Sequence, residues 1–170
     1  MLIRSETLFK WMMYALASLL CCMVQGLVLQ RLLFFGVFPF LYPALAAVLS
    51  TLEGTVPGTV FSLVLGILCD LAMPGPIPCL YTLIFPLAGL VSALIAQSWI
   101  KSGILCALVA SAFAMVMTDL LQMLILLFQR KEFWPAAPLL MLKETALTLP
   151  FVIPVYLLLA AVYRRCHRYD

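Results

Sequence analysis

Apolar residues run almost without interruption along this chain, and polar residues gather in short breaks between the runs. The first run extends from about Trp11 to Leu29 and closes at Arg31. The second extends from about Leu33 to Leu52 and closes at Glu53-Gly54. The third, about Val56 to Ala72, ends beside Asp70 and is followed by the turn Met73-Pro74-Gly75-Pro76-Ile77-Pro78. The fourth runs from about Cys79 to Ile100 and stops at Lys101, and the fifth from about Gly103 to Phe128 and stops at Gln129-Arg130-Lys131-Glu132. The sixth lies between about Leu139 and Tyr163, closed by Arg164-Arg165. A helix needs about 20 apolar residues to cross ~30 Å of hydrocarbon, and each run is close to that length. A membrane β-barrel would instead show segments of about 10 residues alternating apolar and polar positions, which these runs do not. The pattern predicts an all-α polytopic membrane protein: a compact six-helix transmembrane bundle, one domain over 1–170, with spans 11–29, 33–52, 56–72, 79–100, 103–128 and 139–163. The loops left over are too short to hold a soluble catalytic domain.

Composition sharpens this reading. Hydrophobic residues make up 66% of the chain and charged ones 10%, where soluble domains carry about 25% charged residues. Mean hydropathy is +1.18. A water-soluble domain, a disordered chain and a nucleic-acid binder are all excluded, the last because it needs a dense basic face. The first run resembles a signal peptide in its basic start, but it is too long and no A-x-A site follows it, so it reads as a retained anchor. With six spans both termini share a side. That side holds Arg4, Lys10, Lys101, Arg164, Arg165 and Arg168, and the opposite side holds Arg31, Arg130, Lys131 and Lys143. The excess of basic residues predicts cytoplasmic termini. Trp11, Tyr14, Trp99, Trp134 and Tyr163 are expected near the membrane interfaces.

Few residues carry candidate chemistry. The six cysteines form no C-x-x-C pair, and one histidine, His167, cannot complete a zinc site, so no metal or cofactor is expected. Cys69 and Cys79 flank one loop, which leaves a disulfide open. No H-E-x-x-H, G-x-S-x-G or phosphate-binding loop occurs, so no enzyme is expected. In the third run Gly58, Ser62, Gly66 and Asp70 recur every four residues and share a helix face. Small residues at that spacing let helices approach closely in lipid. The face is read either as packing inside the bundle or as a dock for a partner helix. Ala88, Ser92 and Ala96 repeat the theme, and Ser18, Cys22 and Gly26 do so weakly. Asp119 stands alone in the fifth run, 16 residues past Gly103 and so about 24 Å along the helix. An intramembrane carboxylate marks a candidate functional site. Lys143 is the expected partner, with Glu144 competing for it; partner-binding and proton or substrate roles stay open. Asp70 is expected to reach water or to pair with Arg31, and Glu53 is expected to stay wet in a tight turn at Gly54. Pro39, Pro43, Pro86, Pro150 and Pro154 fall inside spans and are expected to kink them around a cavity.

Taken in order, these features resemble the rod-shape-determining protein MreD family. The stretch Leu29-Gln30-Arg31-Leu32-Leu33-Phe34-Phe35-Gly36-Val37-Phe38-Pro39 resembles the family's entry into its second helix, where a G-V-x-P element occurs. Glu53-Gly54, Gly58, Gly66 and Asp70 resemble its glycine-rich helix ending in G-x-x-x-D, and the turn after Asp70, Pro154-Val155-Tyr156 and the basic end also fit. The likeness covers nearly the whole chain. One departure is Phe40, where the family often has an acidic residue; any role of that carboxylate cannot be carried over. The resemblance implies a non-catalytic plasma-membrane subunit of the bacterial cell-elongation complex. It would bind MreC, near MreB, RodA and a class B penicillin-binding protein, and help position peptidoglycan synthesis. The alternative is a substrate-binding membrane subunit of an energy-coupling-factor-type vitamin importer, an architecture to which MreD is similar. Such a subunit needs a polar pocket at the outer face, and Asp70, Asp119 and Lys143 are candidates to line it.

Overall fold

The computed structural model describes residues 2–31, 36–72, 77, 79–98, 103–128 and 137–166. Among them lie six helices: α1 (Leu2–Leu27), α2 (Tyr42–Glu53), α3 (Thr55–Ala72), α4 (Leu80–Ser98), α5 (Ile104–Phe128) and α6 (Ala137–Cys166), with one 3-10 turn at Leu29–Arg31. Five helices are long and apolar enough to cross a membrane; α2 is not among them. Cross-links between ends fix the directions. Lys10 of α1 meets Glu53 at the end of α2, while Gln25, near the end of α1, meets residues 39–41 just before α2 begins. Asp70 at the end of α3 meets the start of α4, and Gln122 toward the end of α5 meets Tyr81 of α4. Successive elements therefore alternate in direction.

The expectation of a second membrane-length helix over 33–52 is corrected. Residues 36–41 are not helical, and α2 has 12 residues, about 18 Å. Proline chemistry explains this. Pro39 disfavours helix at the residue before it, and Gly36 adopts φ +82°, a left-handed conformation that other residues reach at a cost. Pro43 sits in the first turn of α2, where its missing N–H costs nothing, so it starts the helix instead of kinking it. By contrast Pro86, Pro150 and Pro154 lie within continuous helices. Residues 32–35 of the resemblance stretch lie outside the described residues.

Short α2 occupies the centre. Every residue from Tyr42 to Thr51 is buried, and the helix packs against α3, α4, α5 and α6. Small side chains make this possible. A Cβ on Gly58 would stand 2.5 Å from the Cα of Ser50, and one on Gly66 would stand 2.6 Å from the carbonyl oxygen of Tyr81. Gly89 lies against the hydroxyls of Ser50 and Ser62. Those two hydroxyls are 3.2 Å apart, and each also donates within its own helix, to Ala46 O and Gly58 O. Ala47, Ala88, Ala110 and Ala114 form an alanine seam between α2, α4 and α5. The large apolar side chains point the other way: Met12, Leu16, Val56, Leu71, Leu83 and Leu105 are all at least 65% exposed. Small and polar inside with bulky and apolar outside is the arrangement lipid favours, because close backbone approach, not escape from water, drives helices together there.

Candidate functional site

Polar side chains gather at the two ends of the bundle, and the ends differ. At the first, the carboxylate of Glu53 accepts a hydrogen bond from the Tyr14 hydroxyl at 2.6 Å and forms an ion pair with Lys10 at 2.6 Å. The Glu53 side chain is only 5% exposed, so the expectation that it stays wet is corrected. Tyr14 is fully buried within the bundle, and Trp11 stacks on Phe61 with ring centroids 6.2 Å apart. Gly54, at φ +90°, turns the chain directly into α3.

The second end is assembled around the non-helical residues 36–41. A non-helical backbone at the depth of a packed bundle needs partners for its polar groups. Gln25 supplies two: its Nε2 donates to Pro39 O at 2.7 Å, and its Oε1 accepts from Leu41 N–H at 3.1 Å. Thr148 Oγ1 of α6 accepts from Phe40 N–H at 3.2 Å. Pro39 thus acts through its carbonyl oxygen. Phe40 is buried, with its ring 5.8 Å from that of Tyr81.

Asp70 binds the start of α4. Its oxygens accept from the N–H of Tyr81 at 3.1 Å, the N–H of Thr82 at 2.8 Å and the hydroxyl of Thr82 at 2.6 Å. The first N–H groups of a helix have no partner of their own and carry partial positive charge, so a carboxylate lent by α3 satisfies both needs. The expected pairing with Arg31 is not made, and Arg31 is exposed. Nearby, Gln122 Nε2 donates to the Tyr81 hydroxyl at 3.1 Å.

Asp119 lies one helical turn from Gln122. It is 9% exposed, and its Oδ2 is buried with no hydrogen-bond partner. The expected pairing with Lys143 is corrected: the only salt bridge among the described residues is Lys10–Glu53, and Lys143 is exposed. Glu144, expected to compete for Lys143, is half-buried on α6. Sequence separation placed Lys143 at the right depth but said nothing about which side of α6 it occupies.

The other candidates are accounted for as follows. Gly58, Ser62 and Gly66 face α2 and α4 within the chain. Ala88 and Ser92 are buried, whereas a Cβ on Gly26 would meet nothing within 4 Å. Cys69 is buried and Cys79 exposed, both free thiols, so the loop between them carries no disulfide. No group of three metal-ligating side chains occurs among the described residues. An apolar cleft of about 170 Å³ opens between α1 and α6, lined by Leu20, Cys21, Val24, Phe151, Pro154 and Leu158 among others, with almost no polar surface for a solute. Trp99, Lys101, Arg130, Lys131, Phe133, Trp134, His167 and Arg168 lie outside the described residues. Gln25, Ser50 and Thr148 are not singled out by the sequence pattern. Gln25 had a signal, since it is the one amide between Trp11 and Leu29.

These features define an all-helical protein with five helices of membrane-crossing length and apolarity around a short buried sixth. Compared with protein-family models, with curated proteins and with solved structures, the chain gives no match.

Proposed function

We propose that the protein is a non-catalytic subunit of the bacterial cell-elongation machinery, of the MreD type. It would reside in the plasma membrane with both termini in the cytoplasm, bind MreC, and help position peptidoglycan synthesis near MreB, RodA and a class B penicillin-binding protein. One observation supports the reading. Four of the residues on which the resemblance rests, Gly54, Gly58, Gly66 and Asp70, hold positions where the fold admits little else. Gly54 turns α2 into α3, Gly58 and Gly66 sit where a Cβ would strike neighbouring backbone, and Asp70 binds the start of α4. Among the described residues, Gln25, Glu53, Asp70 and Thr148 spend their polar groups on holding elements together, which suits a protein that offers surfaces rather than chemistry.

Co-expression tests the proposal. The tagged protein, extracted in mild detergent, should retain MreC through purification, and its depletion should turn rod-shaped cells round. Recovery of an ATPase pair together with a bound vitamin would assign the importer role instead. Absence of MreC under conditions that keep the protein monodisperse would overturn the proposal.

A further inference from the structure

We propose that the cleft between α1 and α6 holds one acyl chain of an anionic phospholipid whose phosphate rests on Arg31. The cleft measures about 170 Å³. Leu20 and Val24 line it from α1, and Phe151 and Leu158 line it from α6. Leu29 and Leu41, both buried, complete the lining from the chain between α1 and α2. Leu41 is fixed there, because its N–H donates to Gln25 Oε1 at 3.1 Å.

Three observations select the occupant. The lining is hydrocarbon with one thiol, Cys21, so a polar solute would give up its hydrogen bonds to water and gain none. Next, α1 and α6 already pack on each other. Axes of helices in contact lie about 8–10 Å apart, which leaves no room between them for a third helix about 10 Å wide. An acyl chain, a single row of methylenes, is thin enough. The third observation is charge. Val28 N–H donates to Val24 O at 3.0 Å, and Arg31 N–H donates to Val28 O at 3.1 Å. Two hydrogen bonds thus tie the backbone of Arg31 to Val24 in the cleft wall. Leu29–Arg31 form a 3-10 turn, which sets Arg31 about 4 Å beyond Leu29, also a lining residue. Arg31 is exposed, so its guanidinium stands at this end of the cleft with two parallel N–H donors to offer a phosphate. The chain itself exchanges one hydrocarbon surrounding for another and gains little. Selection among lipids therefore falls to the headgroup.

Photolabelling of the full-length protein provides the test. The protein would be reconstituted in vesicles of equal parts phosphatidylglycerol and phosphatidylcholine, with one lipid or the other carrying a diazirine on an acyl chain. In the cleft, at residues such as Cys21 and Phe151, the phosphatidylglycerol probe should label about five-fold more than the phosphatidylcholine probe. Leu83 and Leu105, exposed on α4 and α5, should label equally from both. Arg31→Gln should bring the cleft ratio to about one. Val24→Trp, which fills the cleft from a position 41% exposed, should abolish cleft labelling and spare Leu83 and Leu105. Equal cleft labelling by the two probes in the parent, or a preference shared by Leu83 and Leu105, overturns the proposal. So does a preference kept in Arg31→Gln, or cleft labelling kept in Val24→Trp. Cross-links from the cleft to a second polypeptide would assign it to a protein partner instead. If a variant fails to fold, the parent's cleft ratio against that at Leu83 and Leu105 decides.

Discussion

Glu53 and Asp119 are both carboxylates set into an apolar bundle, the Glu53 side chain 5% exposed and Asp119 buried, yet their surroundings are opposite. Glu53 has an ammonium, a phenol and a place at the margin of the bundle, where Lys10 keeps 22% of its side chain exposed. Asp119 makes no ion pair among the described residues and has one buried oxygen with no hydrogen-bond partner. The contrast teaches that the identity of a buried charge says little about its purpose. A fully partnered carboxylate acts as a clamp, here closing α1 onto α2. An unpartnered one costs stability, and the fold retains it without an evident structural return.

The comparison can be broken or sharpened by substitution. The largest effect is expected at Gln25, which holds the non-helical stretch beside the Asp119 end. Gln25→Leu removes partners from both Pro39 O and Leu41 N–H, and two buried backbone groups left bare should cost about 3–5 kcal/mol. Thermal unfolding in detergent would show this as a fall in Tm of about 10 °C or more. If Gln25→Leu melts with the parent, residues 36–41 do not depend on α1. Next comes Glu53→Ala, which strands the buried Tyr14 hydroxyl and frees Lys10 to reach solvent; a cost of about 2–3 kcal/mol is expected. Adding Tyr14→Phe to that variant should recover part of the loss, since the stranded phenol is then gone, and a double-mutant cycle measures how much. The smallest effect belongs to Asp119→Asn, expected within about 1 kcal/mol of the parent, because no existing contact is lost. A loss as large as that of Glu53→Ala would mean that Asp119 is a clamp after all.

The sequence made the five long helices legible because continuous apolarity over about 20 residues has few other meanings. It misplaced the second because hydropathy does not distinguish a lipid-facing rod from a short helix buried on every side. Of the breakers that tell them apart, Gly36, Pro39 and Pro43, the two prolines read from sequence alone as kinks. The small-residue face of α3 was legible as spacing, though its occupants, α2 and α4, were not. Charges fared worst. Lys143 is matched to Asp119 by depth and Asp70 to Arg31 of the first loop, whereas pairing depends on azimuth around a helix, which a tightly packed bundle does not reveal in one dimension. Asp70 found backbone N–H groups instead, partners that no residue letter announces.

Central burial of α2 also bears on how the chain is made. Tyr42–Glu53 leaves the ribosome before α3, α4, α5 and α6, the four helices that enclose it. Birth order and burial order therefore conflict. For the time taken to synthesise more than a hundred further residues, this 12-residue helix has no finished berth. A nascent chain arrested after α3 would hold it half-housed, so biogenesis of this protein calls for a sheltering insertase or a late rearrangement that draws α2 inward.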